Sequence, residues 1–228
     1  MNLFGYGALI SLEFKRIWFM MITLLLLLIG IRALGELPIC MNLAGQFMLV
    51  FPFLTGLLFS IGVVADDSGH NALIPLLALP ISHRSLLAVR SGFRLVCLFL
   101  LLASWWLTTP VKTIPARPDS FQTSIKLSLL AVMVFGLGII FSQLLKNTFE
   151  AAMATLGGAL TAMALLHVSV WTEPVMYLMY GISAIYFFIA AFHILERKEL
   201  IAVGDLRQYA FVWLLIWIFA AFTLKWID

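Results

Sequence analysis

Asp66-Asp67-Ser68-Gly69-His70-Asn71, then Ala72-Leu73-Ile74-Pro75-Leu76-Leu77-Ala78-Leu79, then Pro80-Ile81-Ser82-His83-Arg84-Ser85: this stretch, continued to Arg94, separates two long apolar runs. Its middle, Leu73 to Leu79, is apolar but far too short to cross a bilayer, for which about 20 residues are needed. A short apolar piece between two spans reads as a helical segment lying at the membrane surface. Pro75 distorts it and Pro80 ends it, because proline lacks the N–H and clashes with the preceding turn. Ser82 then suits the N-cap of the next span, its hydroxyl accepting a free backbone N–H.

The rest of the chain supports this reading. Of 228 residues, 63% are hydrophobic and 11% charged, and the mean hydropathy is +1.08. A soluble domain is about a quarter charged, so this chain cannot cover a water-facing surface. In lipid the backbone must satisfy its own hydrogen bonds, which predicts helices. The apolar runs are continuous rather than alternating, which argues against a barrel. The expected fold is all-α: a polytopic membrane helix bundle of six to seven spans, in a single domain over 1–228.

The spans fall at 17–34, 43–64, 86–108, 124–145, 151–170, 175–195 and 209–224, the last short enough to be interfacial instead. Residues 1–16 mix Leu3, Phe4, Tyr6, Leu9, Ile10 and Phe14 with Glu13, Lys15 and Arg16. That spacing predicts an amphipathic helix lying in the interface ahead of the first span. Lys15-Arg16 before an apolar run also fits a cleaved leader, but the pair stands late and more spans follow. Arg90 and Arg94, at the entry of the third span, are read as snorkelling to the headgroups, and Trp105-Trp106 at its exit as interfacial anchors.

Lys and Arg set the orientation. With the amino end inside, the inner segments hold nine of them (Lys15, Arg16, Arg84, Arg90, Arg94, Lys146, Arg197, Lys198, Arg207) and the outer ones five (Arg32, Lys112, Arg117, Lys126, Lys225). This predicts a multi-pass protein of the cytoplasmic (inner) membrane with a cytoplasmic amino terminus. The 66–82 segment then lies in the cytoplasm. The net charge of +3 is small and spread over loops, which is no signature of nucleic-acid binding. Cys40 and Cys97 lie at different depths, so neither a disulfide nor a metal site is expected.

The chemistry is sparse. No Gly-x-x-x-x-Gly-Lys-Ser/Thr and no His-Glu-x-x-His occurs, so the chain is neither a P-loop nucleotide-hydrolysing motor nor a zinc protease of that class. Asp66-Asp67 could be read as a metal-binding pair, but adjacent carboxylates on a helix diverge by about 100°, and no second acidic cluster follows. They suit the start of a helix, where acids favour the dipole. Within the spans, Gln46, Thr55, Ser60, Ser104, Ser142, Gln143 and His167 are mild polar groups, read either as pathway-lining or as helix-packing residues. Ala154, Gly158 and Ala162 form a small-residue stripe suited to close packing within the chain or against a partner; Gly136 and Gly138 read the same way.

Taken together, these residues resemble the permease subunits of ABC transporters of the type-2 export class. Such permeases carry, after the second span, an acid, a Ser-Gly pair, an apolar helix, Leu-Pro, a Ser and basic residues. Here these are Asp67, Ser68-Gly69, Ala72 to Leu79, Leu79-Pro80, Ser82 and His83-Arg84, and His193 to Leu200 is similar to the basic end of the family's sixth span. The sequence departs in a longer Gly69–Pro80 spacing, in Pro75, in lacking the acid within the apolar helix, and in an added seventh segment. The resemblance implies a cytoplasmic coupling helix at 66–82 that docks on a separate ATP-binding cassette subunit through Asp67, Gly69, His70, Pro80, His83 and Arg84. It also implies a second permease subunit, the same or a sister chain, and no catalytic residues in this chain: ATP and Mg would belong to the partner. Two other classes stay open. A membrane-embedded enzyme acting on lipid or lipid-linked substrates would have to use Asp66, Asp67, His70 and His83. A scaffold subunit would move nothing.

Overall fold

A computed structural model describes residues 3–37, 40–61, 83–108, 120–145, 147–168, 173–196, and the isolated positions 212, 213 and 215. Six helices carry most of them: α1 (Leu3–Gly35), α2 (Met41–Ser60), α3 (His83–Thr108), α4 (Ser120–Leu144), α5 (Thr148–Val168) and α6 (Glu173–Glu196). The architecture is an all-α bundle of apolar helices, as a multi-pass membrane protein requires. Four of the described helical stretches are long and apolar enough to cross a bilayer: Leu9–Gly35, Leu43–Ser60, Ser85–Thr108 and Thr123–Leu144. A shorter apolar stretch runs from Tyr177 to Ala191 in α6. The expected 66–82 surface helix and nearly all of 209–224 lie outside the described residues.

The centre of the bundle is α4. It packs against α2, α3, α5 and α6, most extensively against α6 and α2. From Leu130 to Gln143 almost every side chain is buried. A helix that is apolar on all sides belongs in a core. Small residues let its neighbours approach closely. A Cβ on Gly56 of α2 would run into the main chain of Ala131, and one on Gly138 would run into the Ser60 side chain. A Cβ on Gly136 would stand 3.1 Å from that of Phe187 in α6.

These contacts fix the directions. Gly56 lies by Ala131 and Ser60 by Gly138, so α2 and α4 run the same way. At one end of α1 and α3, Glu13 meets Arg94; at the other, Arg32 donates to the Thr108 carbonyl at 3.3 Å. The starts of α1 and α3 therefore share one end of the bundle with the ends of α2, α4 and α6. A short turn brings α5 back from α4, and its start is capped by Asn147, whose Oδ1 accepts from the Phe149 N–H at 3.0 Å, satisfying one orphan donor.

The first helix differs from expectation. Residues 3–35 form one helix with no break at Arg16–Ile17; no proline interrupts it. At 33 residues it is about 50 Å long, well beyond an apolar core of about 30 Å. Nor does its first part turn all of its charge outward: Lys15 is exposed and Arg16 partly so, but Glu13 is not. Glu13 is completely buried beside Leu9 and Ile17, whereas Ile10, Leu12 and Phe14 are exposed, Phe14 by 54%. The stripe Leu9, Glu13, Ile17, Leu24, Leu28 and Ile31 faces the bundle, so the inward face of the helix includes its carboxylate.

The small-residue stripe of α5 is also offset. The fully buried line is Ala151, Thr155 and Ala159, one position on from Ala154 and Gly158. Gly158 still meets the Phe141 ring of α4 at 3.3 Å from its would-be Cβ, so this part of the stripe packs within the chain.

These contacts predict opposite outcomes for two glycines. Gly56→Ala must displace the Ala131 backbone and should cost about 1–3 kcal/mol. Gly157→Ala in α5, where nothing lies within 4 Å, should be neutral or stabilise by up to about 1 kcal/mol through helix propensity. Thermal melts of the two purified variants in one detergent check the sign difference.

Candidate functional site

The described residues gather charge at one place, the end of the bundle where α1 and α3 begin and α2 ends. Glu13 comes from α1. Arg90 and Arg94 come from α3, one turn apart and so on one face. Arg94 Nε donates to Glu13 Oε2 at 3.1 Å. Arg90 Nε lies 2.9 Å from Glu13 Oε1, an ion pair by distance. Arg16, partly exposed, stands 3.9 Å from the same carboxylate. Glu13 is 0% exposed, Arg90 2% and Arg94 4%.

Arg94 also reaches a third helix. Its Nη1 donates to the carbonyls of Phe59 at 3.3 Å and Ile61 at 3.0 Å. These lie at the end of α2, where the last carbonyls of a helix have no intrahelical donor and the dipole favours a cation. Part of the remaining need is met locally: Ile61 N–H and Ser60 Oγ both donate to the Leu57 carbonyl. One guanidinium thus closes the end of α2 while bonding the carboxylate of α1. Arginine suits the task because its planar fork presents several donors at once and it does not lose its charge.

Burying two guanidinium groups and a carboxylate is costly unless they are paired and hydrogen-bonded. Here they join α1 to α2 and α3, the two helices that 62–82 connects in the chain. The snorkelling expected of Arg90 and Arg94 is replaced by this inward pairing, since a buried acid in α1 is a nearer partner than the headgroups. Sequence reasoning missed Glu13 because it was read with the charged face of an interfacial helix. The available signal was that Leu9, Glu13 and Ile17 share one four-residue stripe.

The residues expected to contact a partner fall largely outside the described residues. Asp67, Gly69, His70 and Pro80 lie outside the described residues. His83 and Arg84 open α3, but their side chains are outside them too. Among the described residues, the mild polar groups lie at several levels of the bundle. Thr55 is buried and donates to its own helix, to the Pro52 carbonyl at 2.8 Å. Ser104 does the same to Leu100 at 2.9 Å. Gln46, exposed near the start of α2, and Gln143, buried near the end of α4, lie at opposite ends of two helices that run the same way. His167 lies in α5, its side chain outside the described residues. The hydroxyls of Thr23, Ser91, Ser128, Thr155 and Thr161 likewise return to carbonyls four residues back. In an apolar surrounding this local bond is the nearest acceptor a hydroxyl has.

Trp105 and Trp106 also part company. Trp106 is exposed and donates to Ser128 Oγ at 3.1 Å. Trp105 is 1% exposed and donates from Nε1 to the Met48 carbonyl of α2 at 3.0 Å, so it is a core residue and not an interfacial anchor.

A scan against protein-family models, a search of curated proteins and a search of solved structures each return no match.

The ionic joint makes a direct prediction. Glu13→Gln leaves Arg90 and Arg94 facing a neutral amide and should destabilise the bundle by about 3–5 kcal/mol, as breaking a buried pair does. Arg94→Met should cost a similar amount. The double variant should cost clearly less than the sum, because the two changes remove one interaction. Unfolding curves for the four proteins measure the coupling, and strict additivity would deny it.

Proposed function

We propose that this membrane-embedded bundle is the permease subunit of an ATP-driven exporter of the ABC type-2 class. It would form the substrate pathway with a second permease subunit and take its driving force from a separate ATP-binding cassette subunit, which would hold the ATP and Mg. The observation that carries this reading is the joint of Glu13, Arg90 and Arg94. A chain without a nucleotide-hydrolysing motif must receive work from outside. Work applied to the connection between α2 and α3 reaches the bundle through the end of α2 and the start of α3. Arg94 bonds the first and belongs to the second, and Glu13 adds α1. A displacement of the connection would therefore move three helices as a unit rather than fray one helix end. Two arrangements of such a unit, selected by the state of a partner, would meet the requirement of alternating access.

In this reading Asp67 to Ser82 is the docking segment. Gly69 and Pro80 shape it, and Asp67, His70, His83 and Arg84 make polar contacts with the cassette subunit. The chain would sit in the cytoplasmic membrane with its amino end inside, on the excess of Lys and Arg at that side. Among the described residues, no cluster of side chains selects among lipid, peptide and other amphiphilic substrates.

Affinity purification of the full chain from its native membrane should bring down an ATP-binding cassette protein. Gly69→Trp and Arg84→Glu should each reduce that recovery at least about tenfold, the loss expected when one polar contact or one tight fit is removed from an interface. The reconstituted pair should move substrate only with ATP. Equal recovery with both variants would remove docking through this segment, and turnover of a lipid substrate by the purified chain alone would favour an enzyme instead.

A further inference from the structure

Pro52 stands in the middle of α2. Proline has no N–H, so the carbonyl four residues earlier, that of Met48, loses its intrahelical donor. In a lipid-spanning helix such a carbonyl must find a donor elsewhere. It finds Trp105 of α3, whose indole Nε1 donates to it at 3.0 Å from a buried position. One turn on, Thr55 Oγ1 donates back to the Pro52 carbonyl at 2.8 Å, so both of these carbonyls are met by side-chain donors.

The two arms on either side of Pro52 are held differently. The 53–60 arm is pinned: Gly56 lies on the Ala131 main chain, Ser60 on Gly138, and the Phe59 and Ile61 carbonyls on Arg94. The 41–51 arm turns Leu43, Phe47, Leu49 and Val50 outward and tucks in Ala44, Met48 and Phe51. Its main chain is tied to α3 by the Trp105 indole.

We infer that α2 is a two-armed lever hinged at Pro52, with the Trp105 indole as the latch that keeps its 41–51 arm against α3. Releasing the latch leaves the Met48 carbonyl without a donor, so the arm opens when water or another donor reaches that carbonyl. The hinge therefore responds to wetting of the α2–α3 seam, while the pinned arm and the ionic joint stay in place. This inference is independent of which partner or substrate the bundle serves.

Hydrogen exchange of the full chain in detergent micelles tests it. Trp105→Phe keeps an aromatic ring and removes the donor. Amides over 49–56 should exchange about tenfold faster, the equivalent of one lost hydrogen bond, while those over 133–140 of α4 stay as they were. Pro52→Ala returns an N–H to the Met48 carbonyl. In that background Trp105→Phe should leave the 49–56 exchange nearly unchanged, and Pro52→Ala alone should slow it about tenfold. A Trp105→Phe effect that is absent, spread evenly over α4, or equally large in the Pro52→Ala background would overturn the latch. Should Trp105→Phe not fold, Pro52→Ala decides alone: unchanged exchange over 49–56 would overturn the hinge.

Discussion

A carboxylate with no exposure, enclosed by two arginines that are themselves buried, constrains everything around it. Arg90 and Arg94 lie within about 3 Å of the Glu13 carboxylate, and burying such groups without partners of opposite charge is prohibitively costly. The pair of arginines is delivered by one face of α3, and the remaining donors of Arg94 are absorbed by the free carbonyls at the end of α2. Three helices must therefore end or begin at one level. That requirement sets the depth of α1 relative to α3 and explains why α1 runs unbroken past Arg16: a break there would withdraw Glu13.

A second constraint acts from the middle. The α4 core depends on glycine at the crossings with α2 and on small residues facing α5 and α6, so the backbones are close enough to leave little freedom to slide. Beside this rigid centre, the 41–51 arm of α2 packs through Ala44, Met48 and Phe51, and its main chain is bonded by one indole at the carbonyl that proline released. The bundle thus combines a stiff, charged foot, a close-packed shaft and one jointed arm. Stiffness at the foot and a joint further along are what the proposed export role would require.

The polar residues of the spans illustrate how an apolar solvent edits a sequence. Most hydroxyls of the described residues donate to a carbonyl of their own helix, Thr55 and Ser104 among them. Gln46 and Gln143 are separated by the length of the bundle. Among the described residues, groups with long reach join the helices: Arg90, Arg94, Arg32, Trp105 and Trp106.

Class and element type were legible in the residues. Continuous apolar runs, few charges and no soluble stretch require helices in a membrane, because lipid offers the backbone no other partner. The helical cores near 43–60, 86–108 and 124–144 follow from hydropathy alone, since transfer energy is a sum over local residues. The facing of side chains is not such a sum. Glu13 was legible as a charge but not as a buried one, because burial depends on two arginines far along the chain, in a different helix. Trp105 and Trp106 are neighbours of one type. Only the crossing of α2 behind α3 decides that one closes a proline gap and the other meets the surface.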